Sequence, residues 1–202
     1  MTDFELPPGE KWRRFELSAQ GIRDFAGVRP GAPLNPFDLA RFANLLVVDF
    51  DQIKALSAKT REHLLGEATE QWSGGACSHP LPDGRRIVIL NPNHGPQRTN
   101  ATLMEEVSHV FLGHQPSRLK IVAEDRRGRT MSRDYRKADE EEAYATGAAA
   151  LVPFSSLRRL VLDGQNSLQI AKHFRVSREL VEYRLKVTRL WRTYRAAHAT
   201  TE

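Results

Sequence analysis

The sequence predicts an α+β protein: a small antiparallel sheet packed on helices, followed by a helix-turn-helix-like C-terminal segment. Three observations carry this. Residues 45–50 and 86–90 are short apolar runs of strand length. Most other segments repeat apolar residues at helical spacing. Pro82-Asp83-Gly84 marks a hairpin turn between strands at 74–77 and 86–90, which should pair antiparallel.

The elements follow in order. Residues 1–17 read as a loosely ordered arm anchored by Trp12, with a helix over about 15–26. Gly27, Pro30, Gly31 and Pro33 then break the chain. Asn35 followed by Pro36 is a helix start, a cap residue and then proline where no N–H is needed. Leu39, Ala40, Phe42, Ala43 and Leu46 give that helix its apolar stripe, and a strand at 45–50 follows. Residues 51–68 carry a weaker helical pattern. Asn91-Pro92-Asn93 ends the second hairpin strand, and a helix over about 100–113 is stopped by Gly113. The charged, glycine-bearing stretch 123–133 reads as a mobile loop or a solvent-facing hairpin. A long helix over about 134–151 ends at Pro153, and shorter helices are expected over about 153–163, 167–173 and 177–195. The domain reading is an N-terminal arm and helix at 1–32, a core at 33–163 and a C-terminal helical segment at 164–202.

Composition narrows the class. The chain has 202 residues, 40% hydrophobic and 27% charged, enough for a sizeable core. Its start is acidic and then proline-bearing, unlike an export signal, and no apolar run would span a bilayer, so a cytoplasmic protein without membrane partners is expected. The single Cys77 cannot form an internal disulfide and gives no sign of a cysteine-based zinc site; it reads as a small buried or half-buried residue near the sheet. The net charge of +5 permits an acidic partner without requiring one.

The most informative string is Thr102-Leu103-Met104-Glu105-Glu106-Val107-Ser108-His109. On a helix, Glu105 and His109 share a face, and Glu106 sits about a hundred degrees around from Glu105. This is the layout of His-Glu-x-x-His with glutamate in the first ligand slot. A third carboxylate is available from Asp139-Glu140-Glu141-Glu142, where Glu142 lies on the same helical face as Asp139. Glu105, His109 and Glu142 would give a catalytic metal its three protein ligands. Two carboxylates and one imidazole form a hard, negative set for zinc, or for another divalent ion such as manganese. Leu103, Val107, Val110, Phe111 and Leu112 surround the motif, so its carboxylates need a partner or a metal.

These residues resemble the ImmA/IrrE-type metallopeptidase family, a gluzincin-like group. Asn91, Arg98, Thr102, Leu103, Glu105, Glu106, His109, Gly113 and His114 match its first signature, with Glu105 in place of the first histidine. Glu142, Ala143, Ala148, Leu151, Val152 and Pro153 match its second signature, while Tyr144, Thr146, Gly147 and Ala150 depart from it. The resemblance covers about residues 33–190 and implies a zincin-like core. It further implies His109 and Glu142 as zinc ligands, Glu106 as general base, and a protein substrate. In this family that substrate is often a DNA-binding repressor whose cleavage releases phage, mobile-element or stress genes. Glu105 leaves two readings: it is itself a ligand and the chemistry survives, or the site is degenerate, holds no metal, and the domain binds a partner.

Smaller expectations attach to other residues. His114 lies at a poor angle to share a metal with His109 and reads as a surface or outer-shell histidine. Tyr144 stands near the site or packs. His79 and His94 are possible replacement ligands. Gly74, Gly75 and Ala76 form an edge for an extended peptide, or simply permit a close approach. Residues 167–181 resemble a helix-turn-helix capped by Ser167 and Ser177, with Arg178, Glu182, Arg184, Lys186 and Arg189 on its outer side. The helices either touch DNA or pack on the core. Three functions therefore stand: metallopeptidase, non-catalytic interaction module, or DNA-binding regulator.

Overall fold

In the computed structural model, residues 5–54, 56–77, 79–114 and 137–198 are described. The stretch 123–133, expected to be a mobile loop or a solvent-facing hairpin, lies outside them.

Among the described residues the first element is α1, Glu10–Phe25, so helix replaces the expected arm from Glu10 onward. Its buried stripe is Phe15, Ala19 and Ile22, at helical spacing, so Phe15 anchors the segment and Trp12 meets it edge-on at 5.7 Å. Next comes α2, Pro36–Phe42, started as its sequence predicts: the Asn35 side chain accepts from Phe37 N–H at 3.2 Å. β1 is Leu45–Val48. The weak pattern after it yields a short 3-10 turn at Phe50–Gln52 and then α3, Ala58–Leu65, capped by Ser57.

β2 is Gly74–Ala76 and β3 is Arg86–Leu90. They pair antiparallel across the expected hairpin, Gly75 opposite Ile89. β1 joins the other side of β3 in parallel, Leu46 opposite Ile87, so the small sheet is mixed and ordered β1-β3-β2. Among the described residues β2 is therefore an edge strand. Gly74 is required there, because a Cβ would meet Ile89 O at 2.8 Å and Thr102 Cγ2 at 2.9 Å. Cys77, just past this edge, is exposed and not buried as expected; among the described residues no strand lies beyond β2.

α4 is Pro96–Phe111 and α5 is Lys137–Leu151. They cross closely at Gly147, where a Cβ would meet Met104 O and Ser108 Oγ, both at 3.2 Å. Leu103, Met104 and Val107 of α4 and Ala148–Leu151 of α5 are buried in one core. α6, Phe154–Leu162, starts after Pro153. α7, Ser167–Phe174, has an Asn166–Gln169 capping box, so the cap lies one residue before the expected Ser167. α8, Arg178–Val187, is capped by Ser177. The single long helix expected over 177–195 is broken: Arg189 takes φ +61° and α9, Trp191–His198, follows.

The C-terminal helices belong to the main core. Ile170, Phe174, Val181 and Leu185 lie in the same buried cluster as Ala19, Ile22, Leu103 and Val107. Arg184, expected on the outer side, is 1% exposed. Its Nη2 donates to Glu16 Oε2 at 2.5 Å and its Nε to Val152 O at 3.0 Å. A periodic reading assigns a charged residue to solvent; here a carboxylate from α1, far away in sequence, satisfies it in the interior. Among the described residues no helix is long and apolar enough to cross a membrane.

Candidate metal centre

The α4–α5 crossing sets the geometry. Gly147 abuts α4, and the residue two helical turns earlier on the same stripe of α5 is Glu140. Glu140 therefore faces α4, where Glu105 and His109 lie one turn apart on the opposing face. One donor atom from each of Glu105, His109 and Glu140 falls within 4.8 Å of the others, and His109 Nε2 stands 3.5 Å from Glu140 Oε2. All three residues are half-buried.

Glu142, the residue that the family resemblance pairs with Glu105 and His109, points elsewhere. It is two positions on from Glu140 and so about two hundred degrees around the helix. Its Oε1 lies 3.4 Å from Arg14 on α1, and its Oε2 lies 3.6 Å from His114 Nε2. The structure thus brings Glu105 and His109 together with Glu140, and sets Glu142 beside His114.

His114 reaches this place through the end of α4. Gly113 takes φ +71°, Gly113 N–H donates to Val110 O at 3.0 Å, and His114 N–H donates to His109 O at 2.9 Å. That is a Schellman turn, which reverses the chain in the left-handed region that glycine adopts freely. The turn swings the His114 ring back onto His109, with the two Nδ1 atoms 3.0 Å apart and the rings edge-on. The angular argument that kept the two apart assumes a continuing helix, and the helix stops between them.

The electrostatics of the group are those of crowded, half-desolvated carboxylates. Burial first, then the charges of Glu106 and Glu140, push Glu105 up to about 7. Burial and Glu140 push Glu106 up to about 7 as well, and the backbone amide of Ala76 in β2 offsets part of that rise. His109 is lowered, chiefly by burial, against the pull of Glu140. These groups resist charging together without a cation. Two carboxylates and one imidazole converging on one point are a donor set that fits a divalent ion, and Glu105, His109 and Glu140 are the residues that would hold it.

Around them, Glu106 lies outside the group of three, between Glu140 and the edge strand. Tyr144 is 38% exposed, meets Tyr183 edge-on at 5.1 Å, and is raised by burial and by the charge of Glu105, so it both packs and borders the site. His94 is not in the group, nor is His79. Glu140 and His114 are the residues that sequence reasoning set aside. The first was legible in its spacing to Gly147, the second in Gly113.

A motif helix crossing a carboxylate-bearing helix, beside a sheet of three strands among the described residues, is the arrangement of a zincin-like metallopeptidase core. Residues 60–186 match the peptidase M78 family, described as the IrrE N-terminal-like domain. The chain belongs to this family. No curated protein matches it in sequence. Among solved structures it is similar to a Mycobacterium tuberculosis transcriptional regulator, at 17% identity and a TM-score of 0.51. The likeness covers 85% of this chain and 46% of that one, so this chain matches less than half of the regulator's length, and the likeness shows a shared fold.

Proposed function

We propose that this protein is a metal-dependent endopeptidase whose divalent ion is held by Glu105, His109 and Glu140. The convergence of these three donors carries the reading. Bound there, zinc or manganese would supply a Lewis acid and lower the pKa of a water molecule. Glu106, beside the group and raised to about 7, is suited to take the proton from the attacking water and pass it to the leaving amine. Among the described residues β2 is an edge that offers backbone groups to an extended peptide, and Glu106 already faces the Ala76 amide on that edge. The substrate class is a protein; a DNA-binding repressor is the member of that class that the family resemblance implies.

The C-terminal helices favour this over direct DNA reading. Arg184 is spent on Glu16, and Arg178 on Glu182 at 2.7 Å, while Glu179 is exposed beside it. A helix that presents carboxylates with its arginine is poorly suited to a phosphate backbone. The competing reading is a partner-binding module with a degenerate site, favoured by the carboxylate at Glu105.

The test is cleavage of candidate repressor proteins by the metal-loaded chain, compared with Glu106→Gln. The amide keeps the shape but cannot take a proton, so metal content should stay and cleavage should vanish. Tight binding of a repressor with no cleavage by the native, metal-loaded chain would favour the interaction module.

A further inference from the structure

We propose that a cavity on the flank of α6 binds a small phosphorylated polyol, with the phosphoryl group held by Arg159 and the hydroxyls of Ser155 and Ser156. The site is separate from the metal centre. It lies beyond the C-terminal end of α5, whereas Glu140 is near that helix's start, about 16 Å away along its axis.

The cavity measures about 290 Å³, near the lower end of the range for small-ligand sites. It runs between α6 and Pro30, in the connection from α1 to α2. Ser155, Arg159, Leu162 and Asp163 line it at the three- and four-residue spacing of one helical face, and Ser156 lines it beside them.

Ser156 is 6% exposed, yet among the described residues its hydroxyl has no hydrogen-bond partner. The buried hydroxyls of Ser108 and Thr188 each bond to the carbonyl four residues back, Met104 O at 2.7 Å and Arg184 O at 2.6 Å. For Ser156 that carbonyl is Val152 O, and Arg184 Nε occupies it at 3.0 Å. A buried hydroxyl left without a partner costs stability, and one that opens onto a cavity can take its partner from a ligand.

Arg159 supplies the charge. Among the described residues its guanidinium has no carboxylate partner, while neighbouring Arg158 is held by Glu5 at 3.1 Å. Gly31 leaves room between the two donors. A Cβ there would lie 3.1 Å from Arg159 Nη2 and 3.3 Å from Ser156 Oγ, so its absence opens a niche between a guanidinium and a hydroxyl. Such a niche suits an oxyanion, and a phosphoryl group has enough oxygens to engage Arg159, Ser156 and Ser155 together. The start of α6 adds a favourable field, with no side-chain cap and no acidic residue in its first turn. Asp163 lies seven residues on from Ser156, about 10 Å along the helix, where its carboxylate can accept from hydroxyl groups without meeting the anion. Leu162 and Pro30 add apolar wall for the carbon skeleton.

The test is an amide-NMR titration of the full chain with glycerol phosphate, glycerol and inorganic phosphate at constant ionic strength, repeated in Arg159→Gln and Ser156→Ala. Glycerol phosphate should shift the amides of Ser155, Ser156 and Arg159 saturably and bind more tightly than inorganic phosphate. Glycerol alone should leave them unmoved. Arg159→Gln should weaken binding about 10–100-fold, because a charge-assisted bond is lost, and Ser156→Ala by a smaller factor. No saturable shift at these amides overturns the proposal, as do shifts confined to α9 or to the metal centre, or undiminished binding by Arg159→Gln. Equal affinity for glycerol phosphate and inorganic phosphate overturns the assigned ligand class. The native titration locates the site without any variant, and Arg159 is exposed, so its replacement spares the core.

Discussion

The two ends of α5 handle charge in opposite ways. At the C-terminal end every buried charge has its answer. Arg23 Nη1 donates to Ala150 O at 2.8 Å and its Nη2 to Ala32 O at 2.7 Å. Arg184 donates to Val152 O and pairs with Glu16, whose other oxygen accepts the Phe154 N–H at 2.6 Å. At the N-terminal end Glu140 meets Glu105 and Glu106, and two carboxylates are driven up to about 7. The first arrangement fixes the chain where α5 hands over to α6. The second costs the metal-free protein stability and gives it a place for a cation. The same residue types make a strut where cation and anion balance, and a candidate site where they do not.

The largest expected effect lies at the balanced end. Arg184→Leu leaves Glu16 buried opposite an apolar side chain, and the protein should lose about 3–5 kcal/mol in urea unfolding. Replacing both partners, Arg184→Leu with Glu16→Leu, should recover most of that loss, because the pair itself contributes little once neither charge remains. A double variant as unstable as the single one would contradict the strut.

The unbalanced end should show itself as a pH dependence of the metal-free protein. Glu105 and Glu106 have folded pKa values raised to about 7 from 4.5, so their contribution is fully present below about 4.5 and is lost as pH rises through about 7. Each pKa unit is worth about 1.4 kcal/mol, and partial solvent exposure reduces what is expressed. Other groups titrate too, so the informative quantity is the native profile minus that of Glu105→Gln. It should fall between about pH 4.5 and 7, as the linkage relation requires. A flat difference would mean that the carboxylates are not crowded in solution.

Legibility in the sequence followed the range of the interactions. The hairpin, the Asn35 cap and the Glu105–His109 spacing are set within a few residues, and each was readable. The parallel pairing of β1 with β3 joins strands separated by a long excursion, which periodicity does not address. The burial of Arg184 depends on Glu16 at the other end of the chain. Which of Glu140 and Glu142 faces α4 depends on the stripe of α5 that meets it, and Gly147, against Met104 and Ser108, marks that stripe. The break at Arg189 has no glycine or proline to announce it; a non-glycine residue takes the left-handed conformation there.

The central claim is that Glu105, His109 and Glu140 hold one divalent ion, and metal titration of the chelator-treated full chain tests it most directly. Native protein should bind one equivalent of zinc or manganese. Glu140→Gln should bind far more weakly, and Glu142→Gln should keep the ion with a smaller loss. No stoichiometric binding of zinc, manganese, iron or cobalt to the native chain, with clear zinc binding to Glu105→His, would contradict the claim and show that the first ligand slot has been lost.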